Sequence, residues 1–409
     1  MSPSQRISIY AELLQSRRQI SIACTLPSPA SSSTAAWVSP DGLVFTVTHN
    51  GSNETIRLPE VVARYRQLPI TRLGGTSLEW AVPLPATSVN PLDDEAVPWS
   101  ALELEPGSAV TCRTCQATIV GPGTLKEWKN LPSKNFEEMM EFWTCHKPQD
   151  HTNSDRRHDP NLRTTGQPGI GLVNFTSFLL AASDFVKLSV SPSIDIHDLD
   201  KEVNGKVTFH CASCKTLLGV QSKDISSVLI FKWNVIVQRL NHNIPNTYPS
   251  LAQCVNAELL ANTRSGTPKC ILLPMKTAEG SKTKDDSQAP DELLYIWMLN
   301  AIVYSSTEAP ASPIPATKIF YQTVTQKEAT AMLEPLTSRV EEFYLPSEAI
   351  ATIKDVLHRS TCLLPARIRK FQEWDIGHLE KWSDKRGTSY DTSTRQLFLR
   401  GEYNTGVHA

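Results

Sequence analysis

The feature that most restricts how this chain can fold is a pair of short cysteine motifs, CRTC at 112–115 and CASC at 211–214. Cys115 and Cys211 are 96 positions apart. A two-residue spacer lets a tight turn aim both sulfurs to one side, so each motif offers two thiolates, and a closed tetrahedral zinc shell needs four. Both motifs lie among alternating β-forming residues, AVTCRTCQATIV and KVTFHCASCKTLLGV, the pattern of two hairpin knuckles clasping one ion. One structural zinc on Cys112, Cys115, Cys211 and Cys214 would staple distant parts of the chain together. Two independent exposed turns, or a redox pair, are the other uses open to the same motifs. His210, beside Cys211, reads as an exposed strand residue rather than a further ligand.

The redox setting bears on that choice. The chain has nine cysteines, an odd number, and its amino terminus, MSPSQRISIYAELLQSRRQI, has no apolar stretch before a small-residue cleavage site. The expectation is therefore a protein kept inside the cell, where thiols bind metal more often than they form disulfides. The longest apolar run, LLYIWMLNAIV at 293–303, is far short of the roughly 20 residues that span a bilayer, so no membrane partner is expected. With 40 basic against 42 acidic residues the formal net charge is −2, which gives no electrostatic reason to expect direct nucleic-acid binding.

Over 409 residues the expected fold class is α+β, with a β-rich N-terminal and zinc-knuckle portion and a mixed α/β C-terminal portion. Residues 1–100 read as a β-rich domain, with DG at 41–42 and NG at 50–51 as turns between strands. Residues 101–240 form the zinc-binding region, and 241–409 the mixed α/β domain. Within the last third, Ser250 opens a helix through Ala261, and ELLYIWMLNAIVYSS at 292–306 is a buried strand pair or hairpin. Ser347 caps a helix whose Ile350, Ile353, Val356 and Leu357 share a face. The polar stretches 83–98 and 276–292 read as a linker and an insertion.

The strongest local helix signal lies elsewhere. Asn135 with Glu138 makes a capping box, and Phe136, Met139, Met140 and Trp143 recur at helical spacing before the adjacent Cys145 and His146. A long polar loop, 147–169, follows. A thiol at a helix C-terminus is ordinarily a small buried group, and the negative end of the helix dipole opposes thiolate formation. Lys147 next door favours it. Cys145 and His146 thus end the helix either to complete a metal shell or to present a reactive tip, and the two CxxC motifs, already supplying four ligands, favour the tip. Cys24, Cys254 and Cys270 read as core residues, and Cys362, with its apolar flank LLP, as a buried structural cysteine.

LPSKNFEEMMEFWTCH at 131–146 resembles the LPSENW and W-x-C-H signature of the HECT-like ubiquitin-conjugating-enzyme-binding proteins. The agreement extends to CRTC upstream, CASCKTLLG and FKWNV downstream, and LPARIRKFQ near the end. The resemblance implies binding of a ubiquitin-conjugating enzyme. It also implies a link to the endonuclease of the pre-mRNA cleavage and polyadenylation machinery, met as an adaptor or chaperone, and hence a cytoplasmic and nuclear location. Asn135, Trp143, Cys145 and His146 would then meet the partner. The alternative is a ubiquitin-protein ligase that carries ubiquitin as a thioester on Cys145, since the thiolate is the nucleophile in such transfer.

Overall fold

In the computed structural model the described residues are 6–62, 67–70, 73–85, 97–131, 165–186, 188–191, 207–221, 226–238, 248–264, 266–275, 292–334 and 339–383. Strands dominate them, in sheets of nine, seven, three and three strands. Among the described residues three helices pack against these sheets: α1 (Leu251–Arg264), α2 (Gln326–Leu333) and α3 (Ser347–Leu363). The class is β-rich α+β, as the sequence indicates.

Two small turns show how locally coded the first sheet is. Strands Ala35–Val38, Val44–His49 and Ser52–Arg57 pair in succession. His49 faces Ser52 across Asn50-Gly51, both at positive φ (49° and 80°), the backbone of a type I′ hairpin turn. Gly42, at φ 75°, closes the DG turn, and a side chain there would collide with the Val62 carbonyl.

The nine-stranded sheet runs, from one edge, through Lys370–Phe371, Trp374–Glu380, Ile314–Thr325, Glu292–Ser306, Ser8–Leu14, Gln19–Thr25 and Ser77–Pro83. Lys269–Pro274 and Val340–Leu345 branch from it beside the Glu292 end. The stretch 292–306 is one strand of 15 residues, not a hairpin. It contains neither glycine nor proline on which to reverse, and its polar Asn300 is absorbed in a bulge between Met298 and Ala301. One half pairs with Lys269–Leu272, the other with Tyr10, Ala11 and Glu12, so the sheet takes strands from both ends of the chain.

Helices α1 and α3 cover one face of this sheet, over Leu272, Leu294 and Ile296, while Ala329 of α2 packs on the other with Ile271, Leu293 and Tyr295. Ser250 and Gln253 cap α1 reciprocally: the Gln253 N–H donates to the Ser250 hydroxyl (3.1 Å) and the Ser250 N–H to the Gln253 side chain (2.9 Å). The helix continues past Ala261 to Arg264. At α3 the cap is Pro346, and Ser347 is the first helical residue with no capping bond. The fixed φ of proline, here −55°, sets the entry instead. Ile353 and Leu357 are fully buried with Ile296, Ile319 and Leu379, and Ile350 and Val356 pack at the margin. Each such burial contributes about 1.5–3 kcal/mol.

On the nine-stranded sheet lies a buried polar chain. Lys318 Nζ donates to both oxygens of Glu12 (2.5 and 2.7 Å), the Tyr10 hydroxyl donates to Glu12 Oε2 (3.0 Å), and His378 Nε2 lies 3.4 Å from the Tyr10 oxygen. The phenol directs its one O–H at Glu12 and can only accept from His378, which places the imidazole proton on Nε2. Its Nδ1 has no partner among the described residues. Burial, aided by the Lys318 charge, lowers the His378 pKa from 6.5 to about 3. A histidine held neutral in the fold charges freely once unfolded. Its contribution is therefore full above the unfolded pKa and is lost as pH falls below about 6.5, at up to about 1.4 kcal/mol per pH unit. Urea midpoints are expected to drop between pH 7.5 and pH 5, and to drop less in His378→Phe.

Candidate metal centre

The two CxxC motifs fold into matching turns. In the first, the Cys112 N–H donates to the Ala117 carbonyl (2.9 Å) and the Gln116 N–H to the Cys112 carbonyl (2.8 Å). In the second, the Cys211 N–H donates to the Thr216 carbonyl and the Lys215 N–H to the Cys211 carbonyl, both at 2.9 Å. Gln116 and Lys215, each just past the second cysteine, adopt left-handed φ of 61° and 63°. That shared kink brings the chain back into the second strand of each hairpin, Val110–Cys112 with Thr118–Val120 and Thr208–Cys211 with Leu217–Gln221.

The turns meet face to face. Cys112 Sγ is 3.6 Å from Cys214 Sγ, Cys115 Sγ is 3.6 Å from Cys211 Sγ, and all four sulfurs lie within 4.8 Å of one another. These separations are too long for disulfide bonds of about 2.05 Å. The four thiols can hold a metal ion. Cys112 and Cys211 are buried while Cys115 is exposed, so the cluster sits at the surface with its inner half in the core. Burial pushes the Cys112 thiol up to about 12. The Thr216 hydroxyl and then its backbone N–H lower Cys214 to about 6. A metal taken up here would displace the protons that remain.

A third segment locks the turns together. Phe231-Lys232-Trp233-Asn234 leads into Val235–Val237, which pairs with Val110–Cys112. The Asn234 carbonyl accepts from the Arg113 N–H (3.0 Å), and its side chain donates to the Leu217 carbonyl (2.7 Å) in the other hairpin. Arg113 Nη1 donates to the Trp233 and Pro249 carbonyls (3.2 and 2.9 Å), and its guanidinium lies over the Tyr248 ring. Asn234 and Arg113 are thus the positioning residues of the cluster. FKWNV is visible in the sequence, but its role depends on contacts across 120 positions.

The remaining sequence-selected residues fall into two groups. Asn135, Trp143, Cys145 and His146 lie outside the described residues. Cys24, Cys254 and Cys270 are buried, as expected, with thiols raised by desolvation, the first two to about 12. Cys362 is exposed, contrary to the burial its apolar flank suggests. On α3 it falls roughly 140° around from Leu357 at about 100° per residue, away from the inward face. His210 is half-buried in strand Thr208–Cys211.

Fold and cluster together define a β-rich α+β protein assembled around a tetracysteine knuckle pair. The chain belongs to the HECT-like ubiquitin-conjugating enzyme (E2)-binding family, whose profile matches residues 12–376. It is similar to a protein of Schizosaccharomyces pombe with no assigned function, 23% identical over 360 residues that cover 80% of this chain and 93% of the relative. A Saccharomyces cerevisiae protein, likewise without an assigned function, is 22% identical over 313 residues, covering 74% of this chain and 80% of the relative. No solved structure matches.

Proposed function

We propose that this chain is a zinc-stabilised interaction protein of the ubiquitin pathway that binds a ubiquitin-conjugating enzyme. The observation that carries the reading is the family match, which takes in both cysteine knuckles and the strands around them. Zinc is favoured by the donor set, because four thiolates select zinc or iron–sulfur centres over harder metals. The geometry agrees with a single ion: sulfurs about 2.3 Å from a tetrahedral centre lie about 3.8 Å from one another. Two of the observed separations are 3.6 Å. Cys112, Cys115, Cys211 and Cys214 would hold the ion, and a closed four-thiolate shell has a structural rather than a catalytic role.

Engagement of the mRNA 3′-end endonuclease as an adaptor or chaperone, in cytoplasm and nucleus, is the finer part of the proposal and rests on the sequence resemblance. Its test is co-purification of that endonuclease with the tagged chain, lost in Cys145→Ala and His146→Ala.

The test of the central reading is a titration of the full chain with recombinant conjugating enzymes, followed by incubation with the ubiquitin-charged form. Saturable binding without a covalent adduct is the expected result. No binding to any conjugating enzyme would overturn it. A reducible ubiquitin adduct that disappears in Cys145→Ser and persists in Cys362→Ser would replace the adaptor with a thioester-forming ligase. Cys362 is the necessary comparison, being the exposed thiol outside the cluster among the described residues.

A further inference from the structure

A cleft of about 690 Å³ lies where the turn after the first strand meets the end of α1 and the bulge of the long strand. Its walls include Leu14, Leu260 and Leu299, and Arg17, Thr263 and Asn300 line it as well. The size is that of a pocket for a small ligand or a few inserted side chains. Several features of the chain converge there. The bulge between Met298 and Ala301 takes Leu299 and Asn300 out of the ladder with the neighbouring strand, and bulges commonly re-aim side chains beside functional sites. The short turn Gln15–Arg17 ends on Arg18 in the left-handed region (φ 49°), which sets Arg17 out in solvent at the cleft.

The charge of the cleft selects its occupant. Among the described side chains of the lining Arg17 is the one that is charged, so the cleft offers a guanidinium beside three leucines and an exposed asparagine amide. A helix C-terminus would ordinarily add negative potential. Here two of the last-turn carbonyls of α1 are taken up: Thr263 accepts from the Gly266 N–H (3.1 Å) and Asn262 from the Thr267 N–H (3.3 Å) and the Thr267 hydroxyl (3.0 Å). What fits is an apolar side chain next to a carboxylate, the carboxylate on Arg17 and Asn300 and the apolar group among the leucines.

We propose that this cleft is the seat of the ubiquitin-conjugating enzyme, which enters it with a surface loop bearing an apolar side chain beside an acidic one. The inference rests on the E2-binding reading and adds the surface. Every lining residue falls within the family match at 12–376.

The test uses the full-length chain and a conjugating enzyme that binds the wild type. Arg17→Glu reverses the charge and Asn300→Trp fills the cleft, and both positions are exposed, so neither substitution disturbs the core. Each is expected to weaken binding by at least about tenfold, the scale of an interface anchor. The loss in Arg17→Glu should shrink in high salt, because an exposed charge pair is screened. Lys327→Glu, on the exposed side of α2, should bind as the wild type does. Unchanged metal content and circular dichroism would show that the variants are folded. Wild-type affinity in both cleft variants would overturn the surface and leave the E2-binding reading standing. Failure of the wild type to bind any conjugating enzyme would overturn both.

Discussion

Cys112→Ser is expected to abolish binding of the proposed zinc and to lower stability by about 4 kcal/mol or more, the range reached when a structural metal is lost. The size follows from what the cluster joins. Cys112 belongs to a hairpin in a three-stranded sheet and Cys211 to one in the seven-stranded sheet. Without the ion, four thiols remain within 4.8 Å of one another with no covalent bond among them, two of them in the core. Cys211→Ser should behave alike, and a chelator should reproduce the loss in the wild-type chain. A reducing agent should leave stability unchanged, because the sulfurs are too far apart to be disulfide-bonded. Elemental mass spectrometry with urea denaturation checks all four. One zinc per wild-type chain, absent in both variants and kept in Cys145→Ser, is the expected pattern. Metal lost in Cys145→Ser as well would remove that residue from consideration as a free nucleophile.

What the sequence made legible and what it hid divide along sequence distance. The knuckles were readable because the geometry of CxxC is set within a few residues, and both turns fold as that spacing requires. The Asn50-Gly51 turn and the Ser250 cap are local in the same sense. The joining of the two knuckles into one cluster was read from ligand count, since one pair alone leaves a tetrahedral shell half empty. Asn234 was missed because its two hydrogen bonds go to separate hairpins, and nothing in FKWNV specifies either partner. Cys362 was misjudged because its neighbours in sequence are apolar, while burial on a helix follows angular position around the axis. The single long strand was misread because nonlocal pairing on both sides lets a bulge, instead of a turn, take up the polar Asn300.

The same nonlocal pairing places the second large effect at the join between the two ends of the chain. Lys318→Met is expected to cost about 3–5 kcal/mol, although it removes only one member of an ion pair. Glu12 is 4% exposed. With the ammonium gone its carboxylate keeps the Tyr10 hydroxyl and loses the charge that balanced it, and a buried unpaired charge is the costly state. Removing both charges is a different matter. Lys318→Met with Glu12→Leu trades a desolvated pair for apolar packing beside Tyr304 and Ile302, and such exchanges are often neutral or stabilising. The double variant should therefore recover much of what the single one loses, a coupling that a urea double-mutant cycle measures directly. Additive losses in that cycle would mean that the pair acts through its separate contacts and not through mutual compensation of charge. The single variant also removes the cation that helps hold His378 neutral, so its stability should fall less steeply with acid than that of the wild type.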